Sequence, residues 1–280
     1  MIQIENLHFG YNRTRELFSG LNLQLQKGRI YGLLGKNGSG KTSLIKLMTG
    51  LRYPDTGKIV VNEWNPQKRQ PGFLSDFYLI PEEFETPSLS LTGFLKITKP
   101  FYPGFDMDIF VEYLSEFKIG NIKNLNELSY GEKKKVLISF GLAANTPVLF
   151  SDEPTNGLDI PSKSMFRRIM ASAVSDERLF IISTHQVKDL EGIIDSVLVL
   201  DEGKIVFNQS LETVSEKLSF KSIKQPDSQV LYSEKHLMDY HVIMKKNRDE
   251  EDTRINLELL FNSVIEPDSK VVKMFEDVQN

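Results

Sequence analysis

The chain has 280 residues, 40% of them hydrophobic, with 34 Lys and Arg against 38 Asp and Glu for a formal net charge of −4. That apolar content is ample for a packed core, and the charge offers no basic footprint for nucleic acid, which is excluded as an expected partner. There are no cysteines, so disulfides and thiol chemistry are excluded, and no apolar run approaches the roughly 18 to 20 residues that cross a bilayer. The opening stretch MIQIENLHFGYN has neither a basic start nor an apolar signal core, so a cytoplasmic protein is expected.

Alternating apolar residues at Ile2 and Ile4, and at Leu21, Leu23 and Leu25, predict two half-buried strands joined by the turn-like GYNRTRE stretch. An antiparallel β layer therefore opens the fold. Residues 30–34 read as a buried strand, followed by a glycine-rich loop and helical spacing through Ser43, Leu44, Leu47 and Met48. Residues 58–61 read as another strand, and 74–80 as one that Pro81 stops.

From about 83 to 144 the pattern turns helical, most clearly over 109–117 and 136–142. Buried strands at 148–150 and 179–182 flank a helical stretch at 162–174. Strands alternating with helices predict a mainly parallel sheet covered on both faces. After strands at 197–200 and 204–207 the chain changes character, with a helix at 211–218, a strand at 240–244, an acidic loop at 249–252 and a helix near 257–263. These last residues predict a small α+β appendage.

The sharpest motif is Gly35-Lys36-Asn37-Gly38-Ser39-Gly40-Lys41-Thr42, which satisfies G-x-x-x-x-G-K-[ST] between a predicted strand and helix. Glycines let successive N–H groups turn onto phosphate oxygens, and the helix start adds positive potential. Lys41 is then placed for the β and γ phosphates and the Thr42 hydroxyl for Mg²⁺, with Ser43 beside them.

Downstream, the apolar run 148–150 leads through Ser151 into Asp152 and Glu153. Carboxylates at the end of a buried strand lie where α/β folds bind ligands, which suits Asp152 to the metal and Glu153, pointing elsewhere, to activating water. The same pair before Pro154 also fits a solvated turn.

Leu128-Ser129-Tyr130-Gly131-Glu132 resembles the signature peptide of the ABC ATPases, usually Leu-Ser-Gly-Gly-Gln. The resemblance extends to Asn156-Gly157-Leu158-Asp159 as a D-loop, to Ser183-Thr184-His185 ending in the H-loop histidine, and to Tyr11 as the A-loop aromatic. It spans residues 1 to about 210 in family order. Family likeness implies that Tyr11 stacks on adenine, that His185 bonds the γ-phosphate, and that Ser129 and the Gly131 N–H reach the nucleotide held by another subunit. Read alone, Tyr11 fits a strand-edge core tyrosine, and Ser129 with Glu132 fits a helix capping box.

Two positions depart from the family. Glu82 stands where the Q-loop glutamine follows 78–81, and Tyr130 replaces the first signature glycine. A carboxylate at 82 suits a contact to Mg²⁺, or it points to solvent on a loop. Lys133, Lys134 and Lys135 read as the solvated face of the signature helix.

The resemblance implies an α/β P-loop NTPase core with a mainly parallel sheet, an N-terminal antiparallel β subdomain and a helical subdomain at about 84–144. Residues 1–215 form the nucleotide-binding domain and 216–280 an accessory or regulatory module. It further implies ATP hydrolysis in an ATP-sandwich dimer, most simply of identical chains, coupled to a separate transmembrane permease that holds the protein at the inner membrane face. The stretch 101–106 and the signature variant resemble bacterial exporter subunits, so export is expected. Phe84, Phe94, Phe101 and Tyr102 are candidates for meeting the permease, or for the subdomain's own core. A soluble ABC ATPase acting in assembly or regulation is the other reading.

Overall fold

A computed structural model describes residues 1–12, 15–120, 122–247 and 249–276. β1 (Ile2–Asn12) pairs antiparallel with β2 (Arg15–Leu25), with Ile2 opposite Leu25 and Ile4 opposite Leu23. Of the expected GYNRTRE turn, Gly10, Tyr11 and Asn12 extend β1, Arg15 and Glu16 open β2 because Gly10 pairs with Glu16 and Asn12 with Arg15, and Arg13 and Thr14 lie outside the described residues. β3 (Arg29–Leu34) leads through the glycine loop into α1 (Lys41–Met48), and β4 (Thr56–Val61) returns along β1. The first sheet is thus ordered β2-β1-β4.

A short helix, α2 (Pro71–Ser75), precedes β5 (Phe77–Ile80). The expected strand 74–80 is therefore shorter than its apolar run. Pro71 starts a helical turn that takes in Leu74 and Ser75, because its fixed φ suits the first helical position, and sheet pairing begins only where Phe77 meets Val148.

The helical region holds α3 (Leu91–Thr98), α4 (Met107–Glu116) and α5 (Tyr130–Ala143). Ser90 and Asp106 cap the first two by accepting backbone N–H bonds. Phe94, Tyr102, Phe105 and Phe110 gather around Phe140 with ring centroids 4.9 to 6.2 Å away. Phe94 and Tyr102 therefore serve this core, whereas Phe101 is 69% exposed.

β6 (Val148–Asp152), α6 (Ile160–Ala173), β7 (Leu179–Thr184), β8 (Ser196–Asp201) and β9 (Lys204–Ser210) complete a six-stranded sheet ordered β5-β6-β7-β3-β8-β9. All neighbours run parallel except β8 and β9. Period-2 geometry sends Phe150, Ile181 and Leu198 to the face packed with α1 and the antiparallel sheet. Leu149, Phe180, Ile182 and Val199 face the other way, toward α6.

α7 (Leu211–Lys217) opens the C-terminal part, followed by β10 (Leu218–Ile223), β11 (Val230–Lys235), β12 (Tyr240–Lys245), α8 (Leu257–Val264) and α9 (Lys270–Glu276). Leu218, expected to end the helix, begins a strand, and the antiparallel order is β10-β12-β11. Ile243, Leu257, Leu260 and Phe275 join Val187, Leu190 and the second face of the large sheet in one continuous apolar core. The appendage is folded onto the sheet layer through this shared core.

Candidate functional site

The glycine loop is shaped by close approach. A Cβ on Gly35 would lie 2.5 Å from both Leu200 O and Ser39 Oγ, and Gly40 adopts φ +110° with Phe18 2.9 Å from its would-be Cβ. A side chain at either place would push the loop off the strand end. Gly40 caps α1 without a side-chain bond, and no acidic residue sits in the first turn, so the helix start is free to face an anion.

Lys41 is folded back into the loop, donating to Gly35 O at 2.8 Å and Lys36 O at 3.3 Å. Burial lowers its pKa, while Glu153, Asp152 and Glu82 pull the other way. Ser39 Oγ is buried with no hydrogen-bond partner among the described residues. A buried cation, an orphaned hydroxyl and an uncapped helix start fit a bound phosphate group.

Asp152 ends β6 and its carboxylate accepts the Ser183 hydroxyl bond. Glu153, expected to continue the strand's alternation, lies one residue beyond it with φ 46°, a left-handed conformation uncommon outside glycine. That turn aims its carboxylate, on a residue only 4% exposed, at three partners. It accepts from Thr184 Oγ1 at 3.0 Å and from His185 N at 2.9 Å, and His185 Nδ1 lies 2.8 Å away.

Tyr11 is 57% exposed, so it is no core tyrosine. Its hydroxyl meets Ser43 Oγ at 2.8 Å, Phe9 packs edge-on at 5.1 Å, and the Arg52 guanidinium sits 5.5 Å from the ring centroid. A cavity of about 650 Å³ runs from this ring across the glycine loop, with Lys41, Thr42, Glu82, Glu153 and His185 in its wall. Its size and its mixture of a ring at one end with a phosphate loop at the other suit a nucleoside triphosphate.

The signature residues lie outside that wall. Ser129 caps α5 in a full capping box with Glu132, as the pattern predicts, and Leu128 packs at the helical core. Gly131 is pressed against the D-loop, where a Cβ would stand 2.7 Å from Gly157 O. Leu158 is buried, Asp159 caps α6 through Ser162 N at 2.9 Å, and Asn156 donates to Glu82 Oε1 at 3.2 Å.

One member of the lysine run is misread from sequence. Lys134 has no exposed surface; it donates to Pro81 O at 2.9 Å and Glu82 O at 3.0 Å. Burial draws its pKa down to about 8 against the opposing pull of Glu82, Asp152 and Glu153. The signal was helical spacing, since Lys134, Ile138 and Leu142 form one buried stripe of α5.

Thr42, Asp152 and Glu82 present hard oxygen donors of the kind Mg²⁺ takes. Among the described residues no group of three or more His, Cys, Asp or Glu side chains forms a metal site of its own. A Mg²⁺ shell built on these residues would be partial, with phosphate oxygens and water supplying the rest.

A parallel sheet that feeds a glycine loop and a buried lysine toward carboxylates at a neighbouring strand end defines a P-loop nucleoside triphosphatase. Residues 18–156 match the family model described as ABC transporter. The chain belongs to that family, as an ATP-binding subunit, and is an ATPase. It is 28% identical over 271 residues to the ABC transporter ATP-binding protein MJ1023 of Methanocaldococcus jannaschii, covering 93% of this chain and 97% of the relative. It is 29% identical over 220 residues to the lantibiotic transport ATP-binding protein SrtF of Streptococcus pyogenes, covering 76% and 92%. Relatives named for molybdate and methionine import also match. A solved ATP-binding subunit of an ABC transporter shares the fold with a TM-score of 0.69 at 24% identity, covering 76% of this chain and 91% of that one. No helix among the described residues is long and apolar enough to cross a membrane.

Proposed function

We propose that the chain binds ATP and Mg²⁺ in the cavity between Tyr11 and His185, hydrolyses ATP in a head-to-tail pair of identical chains, and thereby drives export through a separately encoded membrane permease. The observation that carries this reading is the convergence of Lys41 and His185 on Glu153, at 3.9 and 2.8 Å, in the wall of that cavity.

Tyr11 supplies a ring for the base, and Gly35 to Ser43 with Lys41 hold the phosphates. Thr42, Asp152 and Glu82 hold the Mg²⁺, which when bound offsets charge on the phosphate oxygens. Glu153 takes the proton of the attacking water as general base, and His185, already against that carboxylate, orients the γ-phosphate end. Ser129 and the Gly131 N–H complete the site of the opposite chain. Residues 1–215 are the nucleotide-binding domain, with the helical subdomain at about 84–144 meeting the permease near exposed Phe101, and residues 216–280 are an accessory module.

The test is affinity purification of the tagged chain from its native membranes. A co-purifying multi-span membrane protein, and ATP-driven extrusion by vesicles carrying both, is the expected result. Recovery of the chain with no membrane protein would favour the soluble assembly or regulatory reading, and ATP-driven uptake into cells would overturn export.

A further inference from the structure

Loop 81–84 is held to α5 from two sides. Lys134, one helical turn past Tyr130, donates to Pro81 O and Glu82 O at 2.9 and 3.0 Å, and the Tyr130 hydroxyl donates to the same Glu82 carbonyl. The ammonium also lies 5.2 Å from the Phe84 ring centroid and 5.6 Å from that of Tyr130, while the two rings stack at 5.1 Å with 24° between their planes. Cation, carbonyls and ring faces are complementary charge distributions, which is what allows a lysine to be wholly buried here.

Two backbone anchors on residues 81 and 82 fix the point from which the Glu82 side chain leaves the main chain. It enters the nucleotide cavity wall, where its Oε1 accepts from Asn156 Nδ2 at 3.2 Å. Asn156 Oδ1 in turn accepts from Gln186 Nε2 at 3.2 Å, next in sequence to His185. The Tyr130 ring completes the enclosure over Gly157, whose would-be Cβ falls 2.6 Å from Tyr130 Cδ1. The bulky residue in the signature peptide is thus packed into its own chain's D-loop and Glu82 loop.

We propose that Lys134 is a positioning residue for ATP hydrolysis: its buried ammonium, with the Tyr130 hydroxyl, pins the 81–84 backbone to α5 and so sets the Glu82 carboxylate at the nucleotide cavity. The proposal rests on the reading of that cavity as the ATP site. A neutral side chain of similar length leaves Pro81 O without its donor and Glu82 O with the Tyr130 hydroxyl alone, which loosens the loop.

Steady-state ATPase kinetics and Mg²⁺ titrations on purified full-length chains test it, with thermal unfolding in parallel. Lys134→Met is expected to lower kcat about tenfold or more and raise the Mg²⁺ concentration for half-maximal activity several-fold, with KM for ATP within about twofold of the parent. Lys134→Arg, which keeps charge and donors, restores at least part of kcat. Tyr130→Phe, at a half-exposed position where folding is not at stake, moves kcat and the Mg²⁺ midpoint in the same direction by less. A Lys134→Met chain with parental kcat and Mg²⁺ midpoint overturns the proposal, as does a loss that returns fully below its lowered unfolding temperature. Should Lys134→Met not fold, parental kinetics in Tyr130→Phe overturn it. Glu153→Gln is the control for the underlying site: if that variant turns over normally the site reading fails, whereas an inactive Glu153→Gln beside a normal Lys134→Met removes only the positioning role.

Discussion

Lys41 Nζ lies 3.9 Å from Glu153 Oε1, so the lysine of the phosphate loop and the carboxylate beyond β6 face each other across the cavity. Both are nearly sealed from solvent, where opposite charges interact strongly. In the proposed mechanism a triphosphate entering the loop would compete for Lys41 and loosen its hold on Glu153. That carboxylate would then be available to water, so that binding and activation of the base would be linked through this one pair.

Glu153→Gln therefore separates the two. The amide keeps the shape and can still meet Thr184 and His185, but it cannot accept a proton. Turnover should fall by about 10² to 10⁴, with ATP affinity kept. ATP should then trap a dimer, read by size-exclusion chromatography. Parental turnover would show that the base lies elsewhere.

Glu82 faces the same cavity, and Asn156 is its hydrogen-bond donor. An unneutralised carboxylate about 4 Å from a phosphate charge would repel it by roughly 4 kcal/mol at an effective dielectric of 20, so a bound Mg²⁺ is the natural compensation. Glu82→Gln should keep kcat within several-fold but shift the Mg²⁺ dependence, and Glu82→Ala should impair both. Identical Mg²⁺ titrations of parent and both variants would remove this residue from the metal.

Leu260 of α8 is fully buried in the core shared with Val187 and Leu190, the 3₁₀ turn that follows His185. Leu260→Ala should destabilise the protein by about 2 to 5 kcal/mol, visible as a lower unfolding temperature. Truncation after 215, which the sequence pattern presents as a clean cut, would uncover that turn and should lower stability as well. An unchanged melting curve for Leu260→Ala would show that the module is not integral to the core.

Glu250 gives the C-terminal module a pH dependence. Bonds from Lys221 and Ser219 lower its pKa from 4.5 to about 2. A depressed acid contributes stability that is present above its unfolded value and lost as pH falls through its folded one. The unfolding temperature of the parent should thus exceed that of Glu250→Gln at pH 7, and the gap should close between about pH 4.5 and 2. A gap that does not change with pH would deny the ion pair.

The order of strands and helices, the phosphate loop, the capping box at Ser129 and Glu132, and the carboxylates at the end of β6 are legible from residues 1–210 alone. Each is a local pattern: alternation, glycine spacing, or a cap three residues from its partner, and the chain carries these without knowing its neighbours. What only the folded chain decides is contact between distant segments. Glu153 turns to Lys41 and His185 through a left-handed residue, Lys134 disappears beneath Phe84 and Tyr130, and the strands β10 and β11 find β12. A lysine among lysines looks solvated because charge favours water; it is buried here because two carbonyls from residues 81 and 82 and two ring faces replace that water, and those partners are assembled only by tertiary packing.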